Sequence, residues 1–415
     1  MKSHFTSSFF AANRAKLREK YASQMPIVIA ANGLLQRGGD SSYLFSQDAN
    51  FWYLTGIDEP DLMLAMDQDG DYLVVPERSD SRQAFDGTIV AGDLIERSGI
   101  TSVLAETQGW KRLLATLKAT SEIATIAPPP LYIEHYGLYT NPAREALVSK
   151  LKKTYPKLEI IDVNTDLARM RMVKQPPELA AIRSAIAITL ATLREVSEPK
   201  QLQTYSHEYE VEADISRGFR SRGAAGHSFE PIVAGGSRAV TLHNVANKEQ
   251  LRAGELLLMD VGAEIEHYAA DITRTVSLGV ASPRQRAVHD AVHDVQQYAM
   301  SLLKPGVLLR EYEKQVEQYM GTKLQELSLI SEASHEAIRI YFPHATSHYL
   351  GLNVHDAGEY DQPLVPGIVI TVEPGIYIPE ESIGVRIEDD VLITSTGIEV
   401  LSSDLPGSLA WPTIV

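Results

Sequence analysis

No cysteine occurs among the 415 residues, so disulfides and thiolate metal sites are excluded, although the redox compartment is left open. Long apolar runs are missing too, and nothing approaches the roughly 20 residues that a membrane-spanning helix needs. The N-terminal stretch MKSHFTSSFFAANRAKLREK has only a four-residue apolar patch before basic, helix-like sequence. A signal peptide needs a longer apolar core, so the expectation is a cytoplasmic protein. Positive charge is scarce. There are 38 Lys and Arg against 54 Asp and Glu, a net charge of -16, which argues against nucleic acid or an anionic membrane as partner. Cations, by contrast, would be drawn to clustered carboxylates.

What is present fits a soluble globular chain, with 44% apolar and 22% charged residues. Its length exceeds one ordinary hydrophobic core, so two domains are expected. Up to about residue 165, short strands alternate with helices. MPIVIAAN reads as a strand, and LMLAMDQDGDYLVVP as a hairpin turning at Asp69-Gly70. WKRLLATLKA and PAREALVSKLKKTY carry helical spacing, and TIAPPPLY is a stiff connection. Near residue 170 the texture changes. Pro176 and Pro177 precede a long helical pattern, as suits a first turn. Further helices are expected near 207–222, 283–303 and 309–327, with strand-like runs between and after them, giving an α+β domain.

Two aspartates stand in unusual company within those strands. Asp260 ends a Leu- and Met-rich run, and Asp271 interrupts YAADITRTV. A hairpin centred between Ile265 and Glu266 would put them directly opposite each other, where Cβ atoms lie roughly 4.5–5.5 Å apart and like charges repel. Glu373 after IVITV and Glu388 after GVRI repeat the pattern. FPHATSHYLGLNVHD brings His344, His348 and His355 close in sequence. Singly, such acids are solvated strand ends and such histidines packing residues; Asp356, Asp389 and Asp390 read as surface or supporting groups. Together, four carboxylates and an imidazole form a donor set for hard or first-row divalent cations. Two such ions would cancel the four negative charges.

These residues carry a family resemblance. Asp260 with Asp271, HATSH, TVEPGIY and GVRIEDD resemble the metal-binding motifs of the pita-bread metallopeptidases, among them methionine aminopeptidase, prolidase, aminopeptidase P and creatinase. The resemblance assigns the metal ligands to Asp260, Asp271, His348, Glu373 and Glu388. GGDSSYLFSQDANFWYLTGIDEPDLML resembles the N-terminal domain of the aminopeptidase P branch, shared more loosely by prolidases and lacking in methionine aminopeptidases. It implies a smaller creatinase-type mixed α/β domain over 1–168 and a pita-bread catalytic domain over 169–415.

The resemblance further implies two divalent ions, manganese first, with cobalt or zinc as alternatives. It implies release of the N-terminal residue from peptides with proline second, by attack of a hydroxide shared between the metals. Glu373 would double as proton carrier. His243, His344 and His355 resemble outer histidines that donate to the developing oxyanion or position the prolyl residue. Arg386 shares a strand face with Glu388 and would orient it or bind a substrate carboxylate; Tyr377 either hydrogen-bonds nearby or packs. A homo-oligomer, dimer or tetramer, is expected. Prolidase activity on dipeptides is the alternative; a metal-free binding protein is a third reading, opposed by the presence of all five ligand residues. Three features depart from the pattern: the short PEES loop, Phe229 where related enzymes carry tyrosine, and Phe85, the nearest candidate for an aromatic that some relatives lend to a neighbouring subunit.

Overall fold

Alternating apolar runs in the first part of the chain become the strands of one mixed sheet. The computed structural model describes residues 3–21 and 25–407. Contacts divide it into two units, residues 5–170, and the chain from Arg171 onward together with Ser3 and His4. In the first unit lie β1 (Ile27–Ala30), β2 (Met63–Asp67), β3 (Gly70–Val75), β4 (Ser102–Ala105), β5 (Glu122–Thr125), the small hairpin β6 (Tyr132–Ile133) and β7 (Leu138–Tyr139), and β8 (Glu159–Asp162). Six of them form a sheet of order β4-β3-β2-β1-β5-β8. The β2–β3 turn falls one residue earlier than expected, on Gln68 and Asp69, because Asp67 pairs with Gly70 and its Oδ1 accepts the Asp69 N–H at 2.9 Å. The expected helix at WKRLLATLKA spans Glu106–Leu117 and buries Leu113 and Leu117 against Val28, Tyr72 and Val74.

The second unit opens with the helix Pro176–Val196. Its two prolines occupy the first turn, and Gln175 and Glu178 form a capping box. The other long helices, Glu208–Ser221, Pro283–Leu302 and Leu309–Glu326, lie where the periodicity places them. The strands are β9 (Gly226–His227), β10 (Ile232–Gly235), β11 (Leu256–Val261), β12 (Ala263–Ile265), β13 (Tyr268–Ala269), β14 (Ile272–Ser277), β15 (Val369–Val372), β16 (Gly375–Ile378), β17 (Ile383–Arg386), β18 (Asp389–Ile393) and β19 (Ile398–Val400). Among the described residues no helix is long and apolar enough to cross a membrane.

The hairpin carrying the two aspartates corrects the expected register. Asp260 pairs with Thr273, not Asp271, and Ile265 pairs with Tyr268. The turn therefore consists of Glu266 and His267, both left-handed with φ of 48° and 69°. Such a two-residue turn matches the sheet twist, and the Glu266 carboxylate is tied to His4 Nδ1 at 2.6 Å, which offsets the backbone cost. Moving the centre by one residue moves each partner by two. Side-chain parity is kept, and the two carboxylates still share a face.

The acids also stand at breaks in the strands rather than inside them, Asp260 excepted. Asp271 separates β13 from β14, Glu373 precedes Pro374 between β15 and β16, and Glu388 lies between β17 and β18. Pro374 has no N–H for the ladder, which explains that break. The same register runs on either side of it, Val372 with Asp389 and Gly375 with Arg386, so Glu373 faces Glu388 across the gap. The directly opposed acids are this pair.

Close approach of backbone shapes the first hairpin as well. A Cβ on Gly262 would lie 1.6 Å from the Ala270 carbonyl oxygen. Gly262→Ala should therefore cost about 3 kcal/mol or more, from overpacking against backbone that cannot yield. Urea denaturation measures it; a loss below about 1 kcal/mol would show that the crossing adapts.

Candidate metal centre

Four chain segments deliver their polar side chains to one buried place. Ligand atoms of Asp271, His348 and Glu388 all lie within 4.8 Å of one another. His348 Nε2 is 3.4 Å from Asp271 Oδ2 and 3.2 Å from Glu373 Oε1. The other ring nitrogen, Nδ1, faces the Tyr349 carbonyl at 3.1 Å. With Nδ1–H donating there, the Nε2 lone pair points at the carboxylates, the tautomer a metal ligand requires. Asp260 approaches from β11; Arg386 Nη2 donates to its Oδ2, while its buried Oδ1 has no partner.

Two threonines complete the frame. Thr273 Oγ1 donates to Glu388 Oε2 at 2.7 Å and accepts from Arg386 Nε at 3.2 Å. Thr371 Oγ1 accepts the His348 N–H at 3.2 Å and lies 3.3 Å from Glu373 Oε1. Each sits two residues from an acid, so the strand alternation that marks the acids also marks them. Arg386 contacts Asp260 directly and approaches Glu388 only through Thr273. Its Nη1 donates to the Tyr377 hydroxyl at 2.8 Å, leaving that hydroxyl to donate to His344 Nε2 at 2.8 Å. His344 Nδ1 is 2.8 Å from the Ala345 carbonyl, so both ring nitrogens are engaged within the protein. His355 differs. The residue is exposed, and its ring lies tilted by 51° against that of His348 with centroids 4.1 Å apart. His243 is likewise exposed.

Electrostatics explains why such a cluster calls for cations. Burial, reinforced by the charge of Asp260, pushes Asp271 up to about 7. Burial and then Asp271, Glu373 and Asp260 hold Glu388 well above the carboxylate range. Burial also opposes ionisation of Glu373, but the His348 hydrogen bond and charge outweigh it and hold Glu373 at about 2. Burial likewise disfavours a charged His348; hydrogen bonds to Asp271 and Glu373 overcome this and raise it well above its ordinary value. Like charges about 5 Å apart repel by roughly 3 kcal/mol per pair at an effective dielectric constant near 20. One arginine cannot offset several such pairs. The donor set of four carboxylates and one imidazole, with an orphaned buried oxygen on Asp260, fits divalent metal.

The three acids read as surface or supporting groups are all buried. Asp356 is clamped by Arg171 and by Lys174 Nζ at 2.9 Å, and its own N–H donates to the Tyr349 carbonyl that also faces His348. Asp389 binds Arg274 Nη2 at 2.6 Å and Gln296 Nε2 at 2.9 Å. Asp390 Oδ2 accepts the Asp271 N–H at 3.1 Å, taking up a donor that the broken strand leaves over. Lone acids and bases far apart in sequence gave no signal for these pairings.

Comparison with known proteins places the geometry. A profile of Metallopeptidase family M24 matches residues 180–395. The chain belongs to metallopeptidase family M24. A profile of the aminopeptidase P N-terminal domain matches residues 10–125 of this M24 chain. It is 32% identical to the Xaa-Pro aminopeptidase of Escherichia coli (strain K12), over 95% of this chain and 94% of that protein. It is also 32% identical to mouse (Mus musculus) Xaa-Pro aminopeptidase 3, over 92% of this chain and 78% of that protein. Among solved structures, Pseudomonas aeruginosa aminopeptidase PepP superimposes with a TM-score of 0.87 at 27% identity, covering 99% of this chain and 97% of that one. E. coli aminopeptidase P with the inhibitor Pro-Leu gives 0.84 at 28% identity, covering 98% and 97%.

Arg386→Lys tests the frame. A lysine cannot reproduce the fork that serves Asp260, Thr273 and Tyr377 together. Peptide hydrolysis should fall by roughly 10–100-fold in a folded protein. Wild-type kcat/KM in that variant would show the fork to be dispensable.

Proposed function

We propose that the chain is a metal-dependent Xaa-Pro aminopeptidase, releasing the residue that precedes a proline in the second position. The carrying observation is the convergence of Asp271, His348 and Glu388 with Glu373 and Asp260, in an M24 chain similar along nearly its whole length to Xaa-Pro aminopeptidases. The match to the aminopeptidase P N-terminal domain favours this reading over a prolidase. It also supports assigning residues 1–168 to that domain and 169–415 to catalysis.

Asp260, Asp271, His348, Glu373 and Glu388 are the residues that would hold two divalent ions, and the oxygen-rich set suits manganese. When bound, such ions supply a nucleophile at neutral pH and polarise the carbonyl under attack. Arg386 keeps Asp260 aimed through the contact of Nη2 with Oδ2. Glu373, with 17% of its side chain exposed, is more open than Asp271 at 7% or Asp260 at 11%. As the more open carboxylate it is the group placed to accept a proton at an oxygen, then give it to the prolyl nitrogen. Burial, followed by the nearby His348 charge, lowers the pKa of His355. As a neutral ring it can donate one N–H to the substrate carbonyl or frame the prolyl ring, and His243 is a second candidate for the same tasks. Tyr377 and His344 hold one another, so His344 acts by fixing Tyr377 and Arg386.

Proline needs such a site because its nitrogen lacks N–H and its ring fixes φ, which defeats extended main-chain binding. The test is a series of Gly-Pro against Arg-Pro-Pro and longer peptides, with defined manganese. The tripeptide should be preferred by roughly tenfold or more in kcat/KM. Cleavage of the dipeptide alone would replace this reading with a prolidase.

A further inference from the structure

The helix Leu309–Glu326 contributes no residue to the metal-facing cluster, yet it grips the segment between His344 and His348. The Glu313 carboxylate accepts the Thr346 N–H at 3.0 and 2.9 Å with its two oxygens, and the Ser347 N–H at 3.1 Å. The preceding residue, Tyr312, is fully buried and places its hydroxyl 3.0 Å from Ser347 Oγ. One turn further on, Glu317 accepts from Arg339 Nη2 at 2.7 Å, and Arg339 Nη1 donates to the His344 carbonyl at 2.7 Å.

The opposite side of the segment is fixed by the strand that leads to Glu373. The Glu373 N–H donates to the Thr346 carbonyl at 2.9 Å and the Thr371 N–H to the His348 carbonyl at 3.0 Å. The peptide before His348 is thus held between a strand and a helix. The strand contacts are ordinary ladder bonds that any sequence could make. The helix contacts are not, because they require a carboxylate in the interior. Burial works against an ionised Glu313, and the N–H groups of Thr346 and Ser347 offset only part of that. A buried acid whose hydrogen-bond partners are peptide N–H groups is a costly way to tie down a loop. What it secures is the exit direction of His348, and hence where Nε2 points.

We propose that Glu313, assisted by Tyr312, is a positioning residue that sets the affinity of the metal centre by fixing the Thr346–Ser347 peptide and with it His348. The inference rests on the ligand role of His348 proposed above. Groups that orient a ligand from outside contribute about 10–100-fold in metal affinity, since donor atoms must sit within a few tenths of an ångström of ideal.

The experiment is calorimetric titration of the full-length protein with Mn2+, alongside thermal melting and the manganese dependence of peptide cleavage. Glu313→Gln turns one acceptor into an amide NH2 facing N–H groups. Its Mn2+ dissociation constant should rise by roughly tenfold or more. The manganese dependence of cleavage should shift with it, while kcat at saturating metal returns close to wild type. Tyr312→Phe keeps the ring and loses only the hydroxyl contact, so its shift should be smaller and in the same direction. A purely structural role would lower the melting temperature and leave the dissociation constant unchanged. Wild-type Mn2+ affinity in both variants overturns the proposal; if Glu313→Gln fails to fold, Tyr312→Phe decides alone. His348→Ala separates the two readings: wild-type Mn2+ binding there would remove the ligand assignment itself, and this inference with it.

Discussion

Mutual repulsion among buried carboxylates governs the catalytic unit. Asp260, Asp271, Glu373 and Glu388 converge where burial already disfavours charge, and the first effect of each is to make its neighbours harder to ionise. Left to themselves, such groups would take up protons or push the hairpins apart. The surrounding fold resists both. Arg386 supplies one fixed positive charge, the two threonines spread hydrogen bonds over the acids, and the His348 ring, with Nδ1 at the Tyr349 carbonyl, turns Nε2 toward Asp271 and Glu373. The remaining imbalance is the driving force for binding cations.

Two hairpins solve the same geometric problem in the same way. Each brings one acid from either strand to the same face, and each interrupts its ladder where acids stand. The interruption frees backbone donors, and neighbouring side chains take them up, as Asp390 does for Asp271. Buried cations fix the segments next to the acids. Arg171 and Lys174 hold Asp356 beside His355, and Arg274 reaches the Glu388 carbonyl at 2.6 Å. Precision at the centre is therefore bought from residues scattered over much of the unit.

The sequence made some of this visible and hid the rest for physical reasons. Long helices such as Pro176–Val196 and Leu309–Glu326 announced themselves through periodicity, the first also through its leading prolines. The acids stood out because apolar runs rarely tolerate them, and five residues of the family motifs fall together in space. The register of the Asp260 hairpin was not legible, because Glu266 and His267 are not customary residues for a left-handed turn. The strand breaks were missed as well, although Pro374 pointed to one of them. Thr273 and Thr371 could have been found by parity. Glu313, Arg171 and Asp389 could not, since a buried ion pair or N–H clamp joins residues whose separation in sequence carries no pattern. For His344 the structure adds its partners, with Nδ1 at the Ala345 carbonyl and Nε2 at the Tyr377 hydroxyl.

The most direct measurement is metal content per chain after dialysis, by plasma mass spectrometry, in the wild type and in Asp271→Asn. The expected result is about two divalent ions per wild-type chain and no more than about one in the variant, with peptide cleavage lost. A wild-type chain that holds almost no metal and gains no activity on adding manganese would contradict the claim that this repulsion exists to bind cations. So would an Asp271→Asn variant with undiminished metal and activity.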